Sequence, residues 1–131
     1  VFTLSIHQEA NYPMPKERGD LDIGLEDGTD DDAYLDVLAP ALERVWAFAP
    51  RLVLYQAGAD PYHDDLLGGL RLSIAGLEAR DRAVIEGCVR RGIAVATTMG
   101  GGYSRRFEDL VRIHATTCRL ALDAARDGVR S

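Results

Sequence analysis

Arg51-Leu-Val-Leu-Tyr-Gln-Ala-Gly-Ala-Asp60 decides how this chain is read. It follows Pro50, stays apolar almost without interruption as far as Tyr55, and then steps through small residues to a carboxylate. A strand covered on one face alternates apolar and polar residues. A strand covered on both faces reads as a continuous apolar run, as in the parallel sheets of α/β proteins. The stretch therefore predicts a strand over 51–56, buried on both faces, with Asp60 just past its carboxyl end. Downstream, Ile93-Ala-Val-Ala-Thr-Thr98 repeats the pattern and runs into Gly100-Gly-Gly-Tyr103. Upstream, Phe2-Thr-Leu-Ser-Ile-His7 alternates as a strand does, and Leu21-Asp-Ile-Gly-Leu25 is a second short one closed by Asp27-Gly28. Asn11, Pro13, Pro15 and Gly19 mark residues 8–19 as loop.

Helical periodicity fills the gaps. A helix over 31–48 carries Leu35, Leu38, Leu42, Val45, Trp46 and Ala49 on one stripe, and Pro40 inside it predicts a kink or a broken turn. Asp30-Asp31-Asp32 stands at its amino end, where carboxylates favour the free N–H groups. Ser73 caps a second helix over 74–91 that turns Ile74, Leu77, Val84, Ile85 and Cys88 inward and stops at Gly92. Arg90-Arg91 suits its carboxyl end. A third helix over 105–127 begins beside a solvent-exposed Arg105-Arg106 and places Phe107, Leu110, Val111, His114, Cys118, Ala121 and Leu122 on one face. Strands alternating with helices imply an α/β fold with a mostly parallel sheet flanked by helices.

The 131 residues suffice for one domain or part of a larger one. A net charge of -6 argues against binding nucleic acid through a basic surface, since phosphate neutralisation needs clustered Lys and Arg. No apolar run approaches the roughly 18 residues that cross a bilayer, and no basic leader precedes an apolar stretch. A cytoplasmic location is the expectation. The start at Val1, without methionine, reads as a chain from which an upstream part was removed or never included. Cys88 and Cys118 lie in helical patterns and read as two buried, reduced thiols.

In open α/β sheets, ligands bind beyond the carboxyl ends of the strands. Ser5-Ile6-His7, Gly58-Ala59-Asp60 and Gly100–Tyr103 all lie at such ends. Asp60 there is either a cation ligand or a turn cap. The three glycines permit close backbone approach or positive φ, and no phosphate-loop spacing accompanies them. Tyr103 after them is either a hydroxyl poised to donate a hydrogen bond or part of a plain turn. His63-Asp64-Asp65 is a metal cluster or, more simply, a charged surface loop. His114 on an apolar stripe reads as a core histidine with a satisfied ring nitrogen. His7 has no assigned role.

In their order and spacing, these segments resemble the histone deacetylase family, including bacterial and class IV-like deacetylases and acetylpolyamine amidohydrolases. The resemblance runs from Val1-Phe-Thr-Leu-Ser-Ile-His7 to the last helix. It rests on Gln56-Ala-Gly-Ala-Asp60, on Asp65 and Gly68 in an Asp-x4-Asp-x2-Gly pattern with Asp60, on Leu72-Ser73 and on Gly100-Gly-Gly-Tyr103. Asp27-Gly-Thr29 and Tyr34-Leu35 add to it. It implies the C-terminal part of an arginase/deacetylase-like catalytic domain over 1–131. It implies that Asp60 is a zinc ligand, that Tyr103 is the catalytic hydroxyl that polarises the scissile carbonyl, and that Gly101 and Gly102 shape the acyl-lysine channel. Ser5 and the Ile6 carbonyl match ligands of a structural monovalent cation, potassium being the expected one, and Asp65 stands behind the site. The implied reaction is zinc-dependent hydrolysis of acyl-amide bonds of acylated lysine or polyamine.

The departure from the family pattern is equally definite. The His-His pair that holds the general base and the Asp-x-His pair that supplies two zinc ligands do not occur in this stretch. Alone it offers one zinc ligand and is expected to be inactive, with an unpaired sheet edge and exposed apolar faces. The alternative is a truncated, non-catalytic module that folds or forms a homodimer by itself. The related ureohydrolases need clustered Asp-x-Asp and His ligands, and none are present.

Overall fold

The computed structural model describes residues 1–128. Four strands and three helices run in the order β1 (Leu4–Gln8), β2 (Leu21–Leu25), α1 (Asp31–Ala47), β3 (Leu52–Gly58), α2 (Ile74–Val89), β4 (Ala94–Gly100) and α3 (Phe107–Gly128). All pairing between the strands is parallel, as expected, but it falls into two ribbons. In one, β1 pairs with β2, Ile6 opposite Ile23; in the other, β3 pairs with β4, Tyr55 opposite Thr97. The alternation of apolar residues locates strands but carries no information on strand order, so a single sheet was not assured.

The helix ends are set by local chemistry. Asp30 caps α1, accepting from the Ala33 N–H at 3.1 Å, with Asp31 and Asp32 in the first turn. Ser73 caps α2 and accepts from the Gly76 N–H at 3.0 Å. Asp31 also accepts from the backbone and hydroxyl of Ser73 at 2.8 and 2.6 Å, joining the amino ends of the two helices. Gly92 takes φ 66° just past α2, a conformation that glycine adopts without strain. Contrary to expectation, α1 has no broken turn at Pro40. Proline removes the donor for the Asp36 carbonyl, but both residues lie on the exposed side, where water can replace it. Ala49 falls beyond α1 and is exposed.

The core gathers Tyr34, Leu38 and Leu42 of α1, Leu77 and Val84 of α2, Ile113 of α3, and Leu25, Ala59, Tyr62, Leu70 and Leu72. Three expectations about burial fail. β3 is covered on one face only: Leu52 and Leu54 are 53% and 77% exposed, and Met99 of β4 is 64% exposed. α3 buries Ile113, Thr116 and Thr117, whereas Phe107, Val111, Cys118 and Leu122 of the predicted inward stripe are exposed. Thr117 lies on the inner side as a donor to Asp81, and of the predicted stripe Leu110 packs against the core. Cys88 is buried as expected, but Cys118 is not.

Candidate functional site

The carboxyl ends of β3 and β4 leave their ladder together at Gly58 and Gly100, with one more bond from the Ala59 N–H to the Gly100 carbonyl at 2.9 Å. Asp60 follows β3 and is exposed. Gly101 and Gly102 follow β4 with φ of 59° and 99°. A Cβ on Gly101 would collide with the Asp60 carboxylate, and one on Gly102 would collide with Leu110 and meet Ala59. Two needs, positive φ and close approach, thus fix glycine at both places. Asp60 and the glycine turn that leads to Tyr103 occupy one rim.

Tyr103 is placed from behind. Asp65 accepts from the Tyr103 N–H at 2.6 Å through one oxygen, and from the Leu67 and Gly68 N–H groups, both at 2.8 Å, through the other. Leu66 N–H donates to the Tyr103 carbonyl at 3.1 Å. The backbone of Tyr103 is therefore held at both its polar groups, while the residue as a whole is 59% exposed. Asp64 sits beside this strap, 3.6 Å from Arg105 and within 3.4 Å of the Ser104 hydroxyl.

The same loop reaches the first ribbon. Gln8 at the end of β1 accepts from the Gly69 N–H at 2.8 Å and donates to Asp27 at 2.6 Å, and Asn11 donates to the Leu67 carbonyl at 2.9 Å. Gly28 N–H donates to the Gly69 carbonyl, and Arg71 N–H to the Thr29 carbonyl, both at 2.8 Å. Residues 59–73 thus form a belt between the carboxyl ends of the two ribbons. Ser5 and Ile6 lie in β1 behind this junction, and the Ser5 hydroxyl is 2.8 Å from His7 Nδ1. Among the described residues, no hydrogen bond or ion pair joins Ser5 or Ile6 to Asp60.

A Histone deacetylase domain family model matches residues 1–118. The chain belongs to the histone deacetylase domain family. This deacetylase-family chain is 45% identical over 124 residues to an uncharacterized protein of Picosynechococcus, covering 94% of this chain and 41% of that protein. It is 29% identical to histone deacetylase HDAC1 of Drosophila melanogaster and 34% identical to histone deacetylase 2 of Arabidopsis thaliana, covering 26% and 28% of their lengths. Among solved structures, an HDAC homolog from Aquifex aeolicus superposes with a TM-score of 0.75 at 27% identity, over 99% of this chain and 40% of that one. An acetylpolyamine aminohydrolase from Burkholderia pseudomallei shares the fold, with a TM-score of 0.68 at 17% identity. The histone deacetylase segment seen here thus spans less than half the length of each of these relatives.

Around this rim, the other sequence candidates separate. His63 is exposed and lies against Tyr62, with ring centroids 4.4 Å apart and the planes tilted by 49°. Among the described residues, no group of three or more His, Cys, Asp or Glu side chains is arranged to hold a metal ion. His114 is half-buried, and its Nδ1 has no hydrogen-bond partner, so the expected satisfied ring nitrogen is not found. No helix of the described residues is long and apolar enough to cross a membrane.

Sequence reasoning missed a polar network directly behind the rim. Arg80 and Asp81, 4% and 1% exposed, form an ion pair at 2.8 Å inside the fold. Arg80 Nη1 donates to the Gly58 carbonyl at 2.7 Å. Asp81 accepts from Tyr55 Oη at 2.5 Å and from the Thr117 hydroxyl. Burial raises the phenols of Tyr34 and Tyr55 above their ordinary value, the nearby Arg80 charge offsetting part of the effect. Arg80, Asp81 and Arg82 are consecutive charged residues, and no sequence motif sets the first two apart. The one available signal was their phase: Arg80 and Asp81 fall between Leu77 and Val84, on the side that the apolar stripe requires to be covered.

Proposed function

We propose that this chain forms part of the active site of a zinc-dependent hydrolase of acyl-amide bonds, acting on acylated lysine or acylated polyamine, with Asp60 as a zinc ligand and Tyr103 as the oxyanion donor. One observation carries the reading: the Asp60 carboxylate packs against Gly101 at a shared rim, two residues before a tyrosine whose backbone is clamped. Membership of the family supports it.

The residues present fit zinc as a partial set. Catalytic zinc takes about three protein ligands plus a water. Asp60 has the donor chemistry and the exposure for one of these, and the glycines on both sides leave its carboxylate room. In this reading, the other ligands and the histidine that accepts the proton come from outside residues 1–131. Bound zinc would polarise the amide carbonyl and acidify a water.

The chain's own residues do the rest. Tyr103 donates a hydrogen bond from its hydroxyl to the oxygen that becomes anionic as the amide is attacked, and one such donor lowers the barrier by roughly 3–4 kcal/mol. Asp65 orients Tyr103 by holding its N–H. Gly101 and Gly102 keep the rim low and form a wall of the channel for the acyl-bearing chain. Ser5 and the Ile6 carbonyl would hold a structural potassium ion, and their strand β1 is tied to the belt through Gln8.

The test uses the intact protein, with an acetyl-lysine peptide and an acetylated polyamine as substrates. Asp60→Ala is expected to lower both bound zinc and turnover at least tenfold. Undiminished zinc with undiminished turnover would refute the assignment. The bare face at Leu52, Leu54 and Met99 favours a second reading, a non-catalytic module that pairs with its own copy. A concentration-dependent dimer without hydrolase activity would establish that reading.

A further inference from the structure

We propose that Arg80 is a positioning residue for the rim: its guanidinium clamps the carbonyl at the end of β3 and thereby fixes the segment that carries Asp60. The meaning for metal binding rests on the zinc reading above; the positioning itself does not.

A guanidinium inside a protein must be compensated, and Asp81 balances its charge at 2.8 Å, while Nη2 makes no well-aligned hydrogen bond. The hydrogen bonds show more than charge balance. Arg80 Nε donates to Asp81 at 2.9 Å, while Nη1 turns outward to the Gly58 carbonyl at 2.7 Å. Asp81 is itself held from two further elements, by Tyr55 of β3 and Thr117 of α3. The pair therefore grips β3 twice, at the Tyr55 side chain and at the Gly58 backbone three residues on. Arginine can do both because its donors form a rigid planar fork.

The position of Gly58 makes the grip consequential. The ladder with β4 ends there, with only the Ala59 N–H bond beyond it. Asp60 is two residues past the clamped carbonyl, and its carboxylate lies against the Cβ positions of both Gly58 and Gly101. A tilt of the Gly58 peptide moves Asp60 directly. The buried network thus sets the position of a group that is itself exposed.

The experiment compares the intact protein with Arg80→Met/Asp81→Asn. This double variant removes both buried charges together while leaving residue 81 able to bond Tyr55 and Thr117. Hydrogen exchange across 57–60, relative to that of β1, is expected to rise at least tenfold while the unfolding transition stays cooperative. Zinc affinity, measured by competition with a chelator, is expected to fall by about 10- to 100-fold, as for other groups that orient a ligand. A folded double variant with unchanged exchange at 57–60 would overturn the proposal. Should the double variant not fold, Arg80→Lys carries the same test: its single nitrogen pairs with Asp81 and releases Gly58. Faster exchange at 57–60 supports the clamp, and unchanged exchange overturns it. An Asp60→Ala control separates the two claims. If that variant keeps full zinc affinity, the metal reading fails while the exchange result still decides the clamp.

Discussion

The two faces of the β3–β4 ribbon are made from the same kind of sequence and meet opposite environments. Inward, Val53, Tyr55 and Ala57 lie against helices, with Leu77 and Ile85 of α2 at 1% and 0% exposure. Outward, Leu52 and Leu54 stand in solvent with Met99. The outer face of α3 repeats this, with Phe107, Val111 and Leu122 exposed. An apolar residue on a strand states that a face wants covering; it does not state that the same chain covers it. The chain covers 40% of the related Aquifex aeolicus structure, and β3 carries the apolar run of a strand flanked on both sides.

That contrast can be broken by truncation. Ile85→Ala on the covered side is expected to cost about 2–5 kcal/mol, whereas Leu54→Ala on the bare side should stay within about 0.5 kcal/mol. Urea unfolding midpoints measure both, and equal losses would mean that the bare face is covered in solution. The buried phenols supply the next test. The fold favours neutral Tyr34 and Tyr55, since burial raises both. That contribution is intact below about pH 10 and is lost as the pH climbs beyond it. Stability should therefore fall as the pH rises above about 10, and Tyr55→Phe should shrink the fall. A smaller effect is expected from charge on the bare face: Leu54→Lys should leave thermal stability nearly unchanged while reducing self-association in light scattering. The least perturbing probe is a thiol reagent at neutral pH. It should modify exposed Cys118 and spare Cys88, which is fully buried and whose thiol is pushed up by desolvation.

The comparison also shows how far sequence reasoning reaches. Strand and helix positions were legible because periodicity and caps are local: Asp30, Ser73 and Gly92 act within a turn of their own position. The rim was legible because glycines and a carboxylate after apolar strands are rare and punctuate the pattern. The facing of α3 was not, since an amphipathic stripe records that a partner exists without recording which side of the helix the rest of this chain occupies. Thr117 shows the difficulty, as a hydroxyl buried for the sake of an aspartate 36 positions away. Arg80 and Asp81 were hidden for the same reason. Charged residues read as solvent-facing until a partner from another element is known, and here Tyr55, Gly58 and Thr117 all come from elsewhere. The two-ribbon arrangement was out of reach too, because residues on a strand specify its faces and not its neighbours.

The central claim is that Tyr103, presented by the glycine turn beside Asp60, stabilises the anionic oxygen in amide hydrolysis. Tyr103→Phe in the intact protein removes one hydroxyl and leaves the backbone clamp to Asp65 untouched. Turnover of an acetyl-lysine peptide should drop by roughly 10²–10³ with bound zinc unchanged. Turnover equal to that of the unaltered protein would contradict the account.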